Sequence, residues 1–275
     1  MNRHTTVLLG LIALLCLRGS SCLRTERPYK APKAAELVAH LRSRVARVRS
    51  VRAETRMSHH TNQGKVKATV RLMAALGGKL RFDAVSPFDT PLATLVSDGT
   101  RFALVDAQKN RHYHGPASPC NIARLLQVAL QPADVLTVLA GGTPIIAHGS
   151  AKVEWDGRAA AEVLTLQGED LVQTVRLDGT DRRWDLLLSE LRTRKGELLL
   201  RIEPGDYRRI GSLRLPGRLH VSQPGNKAEL DVVFRSEEVN LKLPAAAFEL
   251  PGAEGMPSQL VECTTVITAP TKDKQ

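Results

Sequence analysis

The chain has 275 residues, 43% hydrophobic and 24% charged, with a formal net charge of +11. A composition this apolar can bury a core, which excludes disorder throughout; the single apolar run near helix-spanning character sits at the extreme N-terminus, which excludes a multi-span membrane protein. Two Trp, three Tyr and five Phe leave any core or cavity mostly aliphatic, and the positive charge does not oppose contact with anionic surfaces.

Residues 1–21 read as an export signal. Arg3 and His4 form a short basic start, and Val7 to Leu17 is an apolar run of eleven residues. A bilayer core of ~30 Å needs ~20 residues, so this run does not span one. Gly19-Ser20-Ser21 directly before Cys22 resembles a bacterial lipobox, in which the chain is lipidated on the Cys sulfur and cut just before it. Gly19 stands where Leu is usual, and ordinary signal peptidase cleavage nearby is the alternative.

The segment 22–56 holds ten Lys or Arg and three Glu, a net +7. Beside a lipid anchor such a segment suits anionic headgroups, because one acyl chain alone binds a membrane marginally; a solvated helix face is the other reading. Nucleic acid is not indicated, since an export signal removes the chain from the genome and no stacking, zinc-finger or helix-turn-helix pattern appears. Cys16 leaves with the signal. With Cys22 acylated, Cys120 and Cys263 remain for a disulfide in an oxidising compartment. Closing so long a loop is worth on the order of 4–5 kcal/mol in the chain-entropy model. Two buried free thiols are the alternative.

Residues 22–33 read as a polar, proline-bearing tether. Leu37, Leu41, Val45 and Val48 recur at helical spacing from Ala34 to about Arg52, with Arg42, Arg44, Arg47 and Arg49 on the remaining surface. Alternation then predicts strands at 66–72, 79–85, 92–97, 101–106 and 111–114. A helical region follows over residues 121–139, divided by Pro132 and stopped by Gly141-Gly142. Seven more strands are expected between 152 and 234, with Asp-Gly and Pro-Gly turns that point to antiparallel meanders. The tail from Pro251 reads as Pro/Gly-rich and mobile beyond Cys263.

This order of elements resembles the lipoprotein localisation factors LolA and LolB. The local similarity lies over about residues 46–143, in "RVRSVRAETRM", "KLRFDAVSPFDTPLATLVSDGTRFALVD", "YHGP" and "LAGGTPI". The resemblance implies a mainly β fold with some α: a curved, incompletely closed antiparallel sheet, or half-barrel, covered by helices and enclosing an apolar cavity. It would occupy residues 34–250 with a helical insertion at about 120–140, leaving 251–275 as the tail. Val70, Leu72, Leu80, Phe82, Leu95, Phe102 and Leu104 are the expected lining, lidded by Leu37, Leu41, Leu125 and Leu136. Burying an acyl chain there gains ~0.8 kcal/mol per CH₂; a filled core without ligand is the alternative. The resemblance also implies a membrane-facing loop over Ser86–Leu92, with Phe88 and Leu92 as its apolar residues; Phe88 tucked against the barrel rim is the alternative.

No catalytic constellation stands out. His112 and His114 share a strand face and His59-His60 add two more, yet no third ligand has metal-site spacing. No G-x-S-x-G occurs, and Asp178, Asp181 and Asp185 lack the rest of a calcium loop. The expectation is a non-enzymatic lipoprotein without cofactor or metal. It would be anchored on the periplasmic face of the outer membrane, with Leu23 after the lipidated Cys. Its expected partners are acyl chains or lipidated proteins, the membrane itself and a periplasmic carrier protein. The alternative is a scaffold that docks an envelope protein and binds no lipid.

Overall fold

Alternating apolar and polar side chains bury one face of a strand and expose the other. In the computed structural model, which describes residues 24–61 and 64–262, that pattern becomes a mainly β architecture with three α-helices among the described residues. Helix α1 (Ala34–Ala46) precedes six strands: β1 (Ser50–Thr61), β2 (Gly64–Ala75), β3 (Lys79–Val85), β4 (Pro91–Asp98), β5 (Arg101–Asp106) and β6 (Arg111–Pro116). Two short helices follow, α2 (Pro119–Leu126) and α3 (Pro132–Leu139), each with proline in its first turn, where its missing N–H costs nothing. A second run of strands comprises β7 (Ser150–Asp156), β8 (Ala161–Gln167), β9 (Leu171–Asp178), β10 (Leu186–Thr193) and β11 (Leu198–Gly205). A separate hairpin, β12 (Arg208–Ile210) and β13 (Leu213–Leu215), leads to β14 (Arg218–Gln223), β15 (Ala228–Val239) and finally β16 (Ser258–Leu260).

Fourteen strands form one curved sheet in the order β16-β6-β5-β4-β3-β2-β1-β15-β14-β11-β10-β9-β8-β7. Its ends, β16 and β7, do not pair, so the sheet is unclosed. Every pairing is antiparallel except β16 on β6. The two meanders are joined where β15 pairs with β1 through nine registered positions, from Val51 opposite Val239 to His59 opposite Leu230.

The buried side chains divide between the two runs. A larger cluster joins Val70, Leu72, Leu80, Phe82, Leu95, Phe102 and Leu104 to Ile122 and Leu126 of α2, Leu136 and Leu139 of α3, and Leu219, Leu230 and Phe234 of the central strands. A second cluster holds Leu37, Val38 and Leu41 of α1 against Leu164, Leu166, Val175, Leu177, Trp184 and Leu186 of β8 to β10. The expected lid is thus split. Leu136 belongs to the first cluster and the half-buried Leu125 packs against it, whereas Leu37 and Leu41 pack on the other half of the sheet.

Several expectations are corrected in detail. Helix α1 ends at Ala46, short of Arg52, because Val48 turns into the sheet cluster and β1 begins at Ser50. Arg44 does not face solvent: it is buried against Asp185. Six strands, not five, precede the helical region. Strand β10 starts at Leu186 because Trp184, at φ 46°, leaves the extended path to pack into the α1 cluster. The stretch expected as one strand to Tyr207 stops at Gly205, and Asp206 (φ 54°) turns the chain into the β12–β13 hairpin.

The polar tether is docked, and so is the stretch of the tail that precedes Cys263; the residues expected to be mobile, beyond Cys263, lie outside the described ones. Thr25 donates its N–H to Gly157 O (2.8 Å) and accepts from Trp155 Nε1 (2.7 Å). Arg27 makes a two-pronged ion pair with Glu162 (2.8 and 3.0 Å), whose side chain is 0% exposed. Tyr29 meets both Trp155 and Trp184 edge-on. At the other terminus, buried His112 donates from Nε2 to Pro251 O (3.1 Å), and its Nδ1 pairs with Ser258 Oγ (2.8 Å). Val261 donates to His114 O, and the Val261 carbonyl lies so close to Gly115 that any Cβ there would meet it at 2.2 Å. The Tyr-x-Gly of residues 113–115 therefore needs its glycine to admit the tail.

Candidate functional site

A cleft of about 270 Å³ opens at the end of the sheet that carries the β3–β4 loop and the β5–β6 turn. The registers bring the required side chains together. Met57 faces Ala68 across β1 and β2, Val70 faces Ala84 across β2 and β3, and Ala84 faces Ala93 across β3 and β4. Three of these five are alanines, and their small size leaves room between the sheet and the last turn of α2. Leu125 and Leu126 close that side, and Leu92 and Leu230 complete the apolar wall. Below it, a void of about 20 Å³ lies among Met57, Phe82, Leu126, Leu130, Val135, Val138 and Leu139, sharing Met57, Leu126 and Leu230 with the cleft.

The mouth is polar, with Asp106, Gln108, Lys109, Arg124, Gln127 and His59 around it. Lys109 Nζ sits 2.9 Å from Asp106 Oδ2, and that hydrogen bond holds the ammonium pKa above its ordinary value. Arg124 lays its guanidinium over the Tyr113 ring (5.2 Å) and donates Nε–H to Asn121 Oδ1 (3.3 Å).

The seven residues expected to line a cavity are all buried and share one cluster, but they contribute unequally to free space. Val70 borders the cleft and Phe82 borders the small void. Leu72, Leu80, Leu95, Phe102 and Leu104 border neither and are packed among neighbours. The actual wall includes Met57, Ala68, Ala84 and Ala93, which were not among the expected lining residues. Their signal was small side chains at alternate positions of adjacent strands, visible only once the register is known.

Phe88 is 91% exposed at the tip of the β3–β4 loop. The loop is built around Ser86, whose Oγ accepts from the N–H groups of Phe88 and Thr90, while Arg71 pairs with Asp89 at 2.7 Å. Leu92 lies within β4, half-buried on the cleft wall, and not at the loop tip. Cys120 is a disulfide cysteine; Cys22 and Cys263 lie outside the described residues. His112 and His114 stack on one another (5.4 Å) beside the tail. No group of three or more metal-ligating side chains gathers, and no helix is long and apolar enough to cross a membrane, among the described residues.

Elsewhere the charged side chains act in packing. Asp185 is gripped by Arg44 and by Arg214 (Nε 3.0 Å), both guanidinium groups lying over the Tyr207 ring. Burial pushes the Tyr207 hydroxyl pKa well above its usual value, and it donates to the carbonyls of Leu186 (3.0 Å) and Gly141 (3.2 Å).

No protein-family model and no curated protein matches this sequence. Solved structures do match its fold. A DUF1329 family protein from Desulfovibrio piger superposes with a TM-score of 0.54 at 12% identity, covering 78% of this chain and 95% of that one. A LolA superfamily protein from Nitrosomonas europaea gives 0.50 at 12% identity, covering 80% and 98%. A putative outer membrane lipoprotein-sorting protein domain from Vibrio parahaemolyticus gives 0.49 at 13% identity, covering 78% and 97%. At these identities the likeness concerns architecture, and in architecture this chain is LolA-like: a large, unclosed antiparallel sheet of the kind shared by LolA superfamily and DUF1329 proteins.

Proposed function

We propose that this protein is a non-enzymatic envelope lipoprotein that accepts an acyl chain, or the acylated end of a lipidated protein, in the cleft between β1–β4 and α2. The observation that carries this reading is the cleft wall itself. It is aliphatic, three of its sheet positions carry only alanine, and it shares Met57, Leu126 and Leu230 with an apolar void. Its volume exceeds the ~150 Å³ at which an engineered apolar cavity already binds a small hydrocarbon, and each CH₂ taken from water contributes ~0.8 kcal/mol. In this reading the helices cover the curved sheet, Cys22 carries the lipid that holds the protein at the periplasmic face of the outer membrane, and Phe88 enters the headgroup layer from the same end of the sheet as the cleft. A Cys120–Cys263 bridge fastens the tail; the contact of Val261 O with Asn121 Nδ2 (3.2 Å) brings the chain to within two residues of that pairing.

The test is native mass spectrometry of the domain purified from membranes, with lipid extraction and uptake of a fluorescent fatty acid. One acyl-bearing mass per chain, and loss of uptake in Ala68→Phe, are expected. Phe88→Glu is expected to keep uptake while losing liposome binding. A bare protein that takes up no fatty acid sinks the reading. One observation favours a second reading, a scaffold that docks an envelope protein: Leu80, Leu95 and Phe102 are fully buried in a filled core. That reading gains if the protein is bare and a periplasmic partner copurifies.

A further inference from the structure

The acyl-binding reading uses the wall of the cleft and leaves its mouth unexplained. Two cations stand there, and they differ in how they are held. Lys109 is engaged with Asp106. Arg124 is solvent-exposed and makes no ion pair with any described residue, yet it is not a loose surface arginine. The Tyr113 ring supports one face of its guanidinium, and Asn121 Oδ1 takes the Nε–H. Asn121 is itself buried and fixed by Nδ2 hydrogen bonds to Pro116 O (2.9 Å) and Val261 O (3.2 Å). An arginine has five N–H donors in one planar fork. Here one is spent on positioning the group, and the four on the two Nη atoms have no partner among the described residues. A fork held in this way suits a planar carboxylate or a phosphate, and it loses little conformational freedom when it binds one.

We infer that the cleft takes single-chain anionic amphiphiles, the hydrocarbon lying on the alanine-lined wall and the carboxylate or phosphate monoester held at the mouth by Arg124 with Lys109 beside it. This rests on the acyl-binding reading and adds the headgroup to it. Asp106 lies on the same rim and repels an anion, but Lys109 already neutralises it, so the guanidinium decides the sign of the mouth.

The experiment measures binding of decanol, decanoate and decyl phosphate by calorimetry to the full mature protein, to Arg124→Gln and to Arg124→Lys. The two anions are expected to bind about five- to tenfold more tightly than decanol at low salt, the margin shrinking as salt screens an exposed site. Arg124→Gln removes most of that margin and leaves decanol unchanged; Arg124→Lys restores part of it, since the charge returns without the fork. A margin for decanoate alone assigns a free fatty acid, and one for decyl phosphate alone assigns a phospholipid-derived headgroup. Equal binding of all three ligands, or an Arg124→Gln loss that includes decanol, overturns the inference while the acyl cleft stands. Failure of decanol itself to bind removes the cleft reading and this inference with it.

Discussion

The two halves of the sheet bury their apolar faces with different materials. Around β1–β6 the cluster is aliphatic, with Phe82 and Phe102 its only fully buried aromatics, and space remains between Ala68, Ala84, Ala93 and α2. Around β7–β11 the corresponding surface is sealed by α1, by Trp155 and Trp184 with Tyr29 between them, and by two ion-pair groups built on buried carboxylates, Arg27–Glu162 and Arg44–Asp185–Arg214. Aliphatic groups leave a wall that can give way to a chain of similar chemistry. Paired charges and edge-on rings instead admit few alternative arrangements, because a misplaced partner leaves a charge in low dielectric. In the proposed reading one half accepts the acyl chain, while the other holds the N-terminal segment and α1 in one place.

That contrast can be broken most severely at Asp185. Asp185→Ala leaves Arg44 without its carboxylate in a buried site, and the expected loss is about 3–5 kcal/mol in urea unfolding. A loss no larger than that of an ordinary surface substitution would show that the second half is held by its aliphatic contacts alone. Next is Arg27→Ala, which strands a fully buried Glu162. We expect about 2–3 kcal/mol, together with faster hydrogen exchange over residues 24–33 and little change in fatty-acid uptake. Altered uptake would mean the two halves are coupled and the comparison is too sharp.

The smallest effect concerns pH. Burial, with the Arg44 guanidinium next, lowers the His40 pKa; Asp185 opposes this, and Arg47 and Trp184 also face the ring. The folded state therefore releases this proton more readily than the unfolded chain, whose value is about 6.5. Where the unfolded chain binds more protons, stability rises with pH. His40 thus costs stability as pH falls below about 6.5, reaching its full cost beneath the folded value. Thermal midpoints at pH 7.5 and 5.5 are expected to diverge less in His40→Leu than in the parent. An unchanged difference would remove His40 from the account.

Much of the fold was legible from alternation and turns. Residues 79–85 and 101–106 read as strands and form β3 and β5 with those bounds, and Pro132 marked the division between α2 and α3. The misreadings have a common physical origin. Trp184, Arg44 and Arg27 take their places from partners 135 or more residues away, which a local pattern does not contain. Residues 251–261 read only as a Pro/Gly-rich tail, yet His112 and Gly115 receive them.

The same division holds for the candidate site. The sequence by itself determined that strands would bury Val70, Leu80, Phe82, Leu95 and Phe102, since period-two alternation commits one face to the interior whatever the neighbours. It also marked Phe88 as the apolar residue of a proline-flanked loop. Which of the buried residues border free space was decided only by tertiary structure. A void depends on the sizes of side chains brought opposite one another by strand register and helix docking, and Met57, Ala68, Ala84 and Ala93 meet through pairings that no single segment encodes.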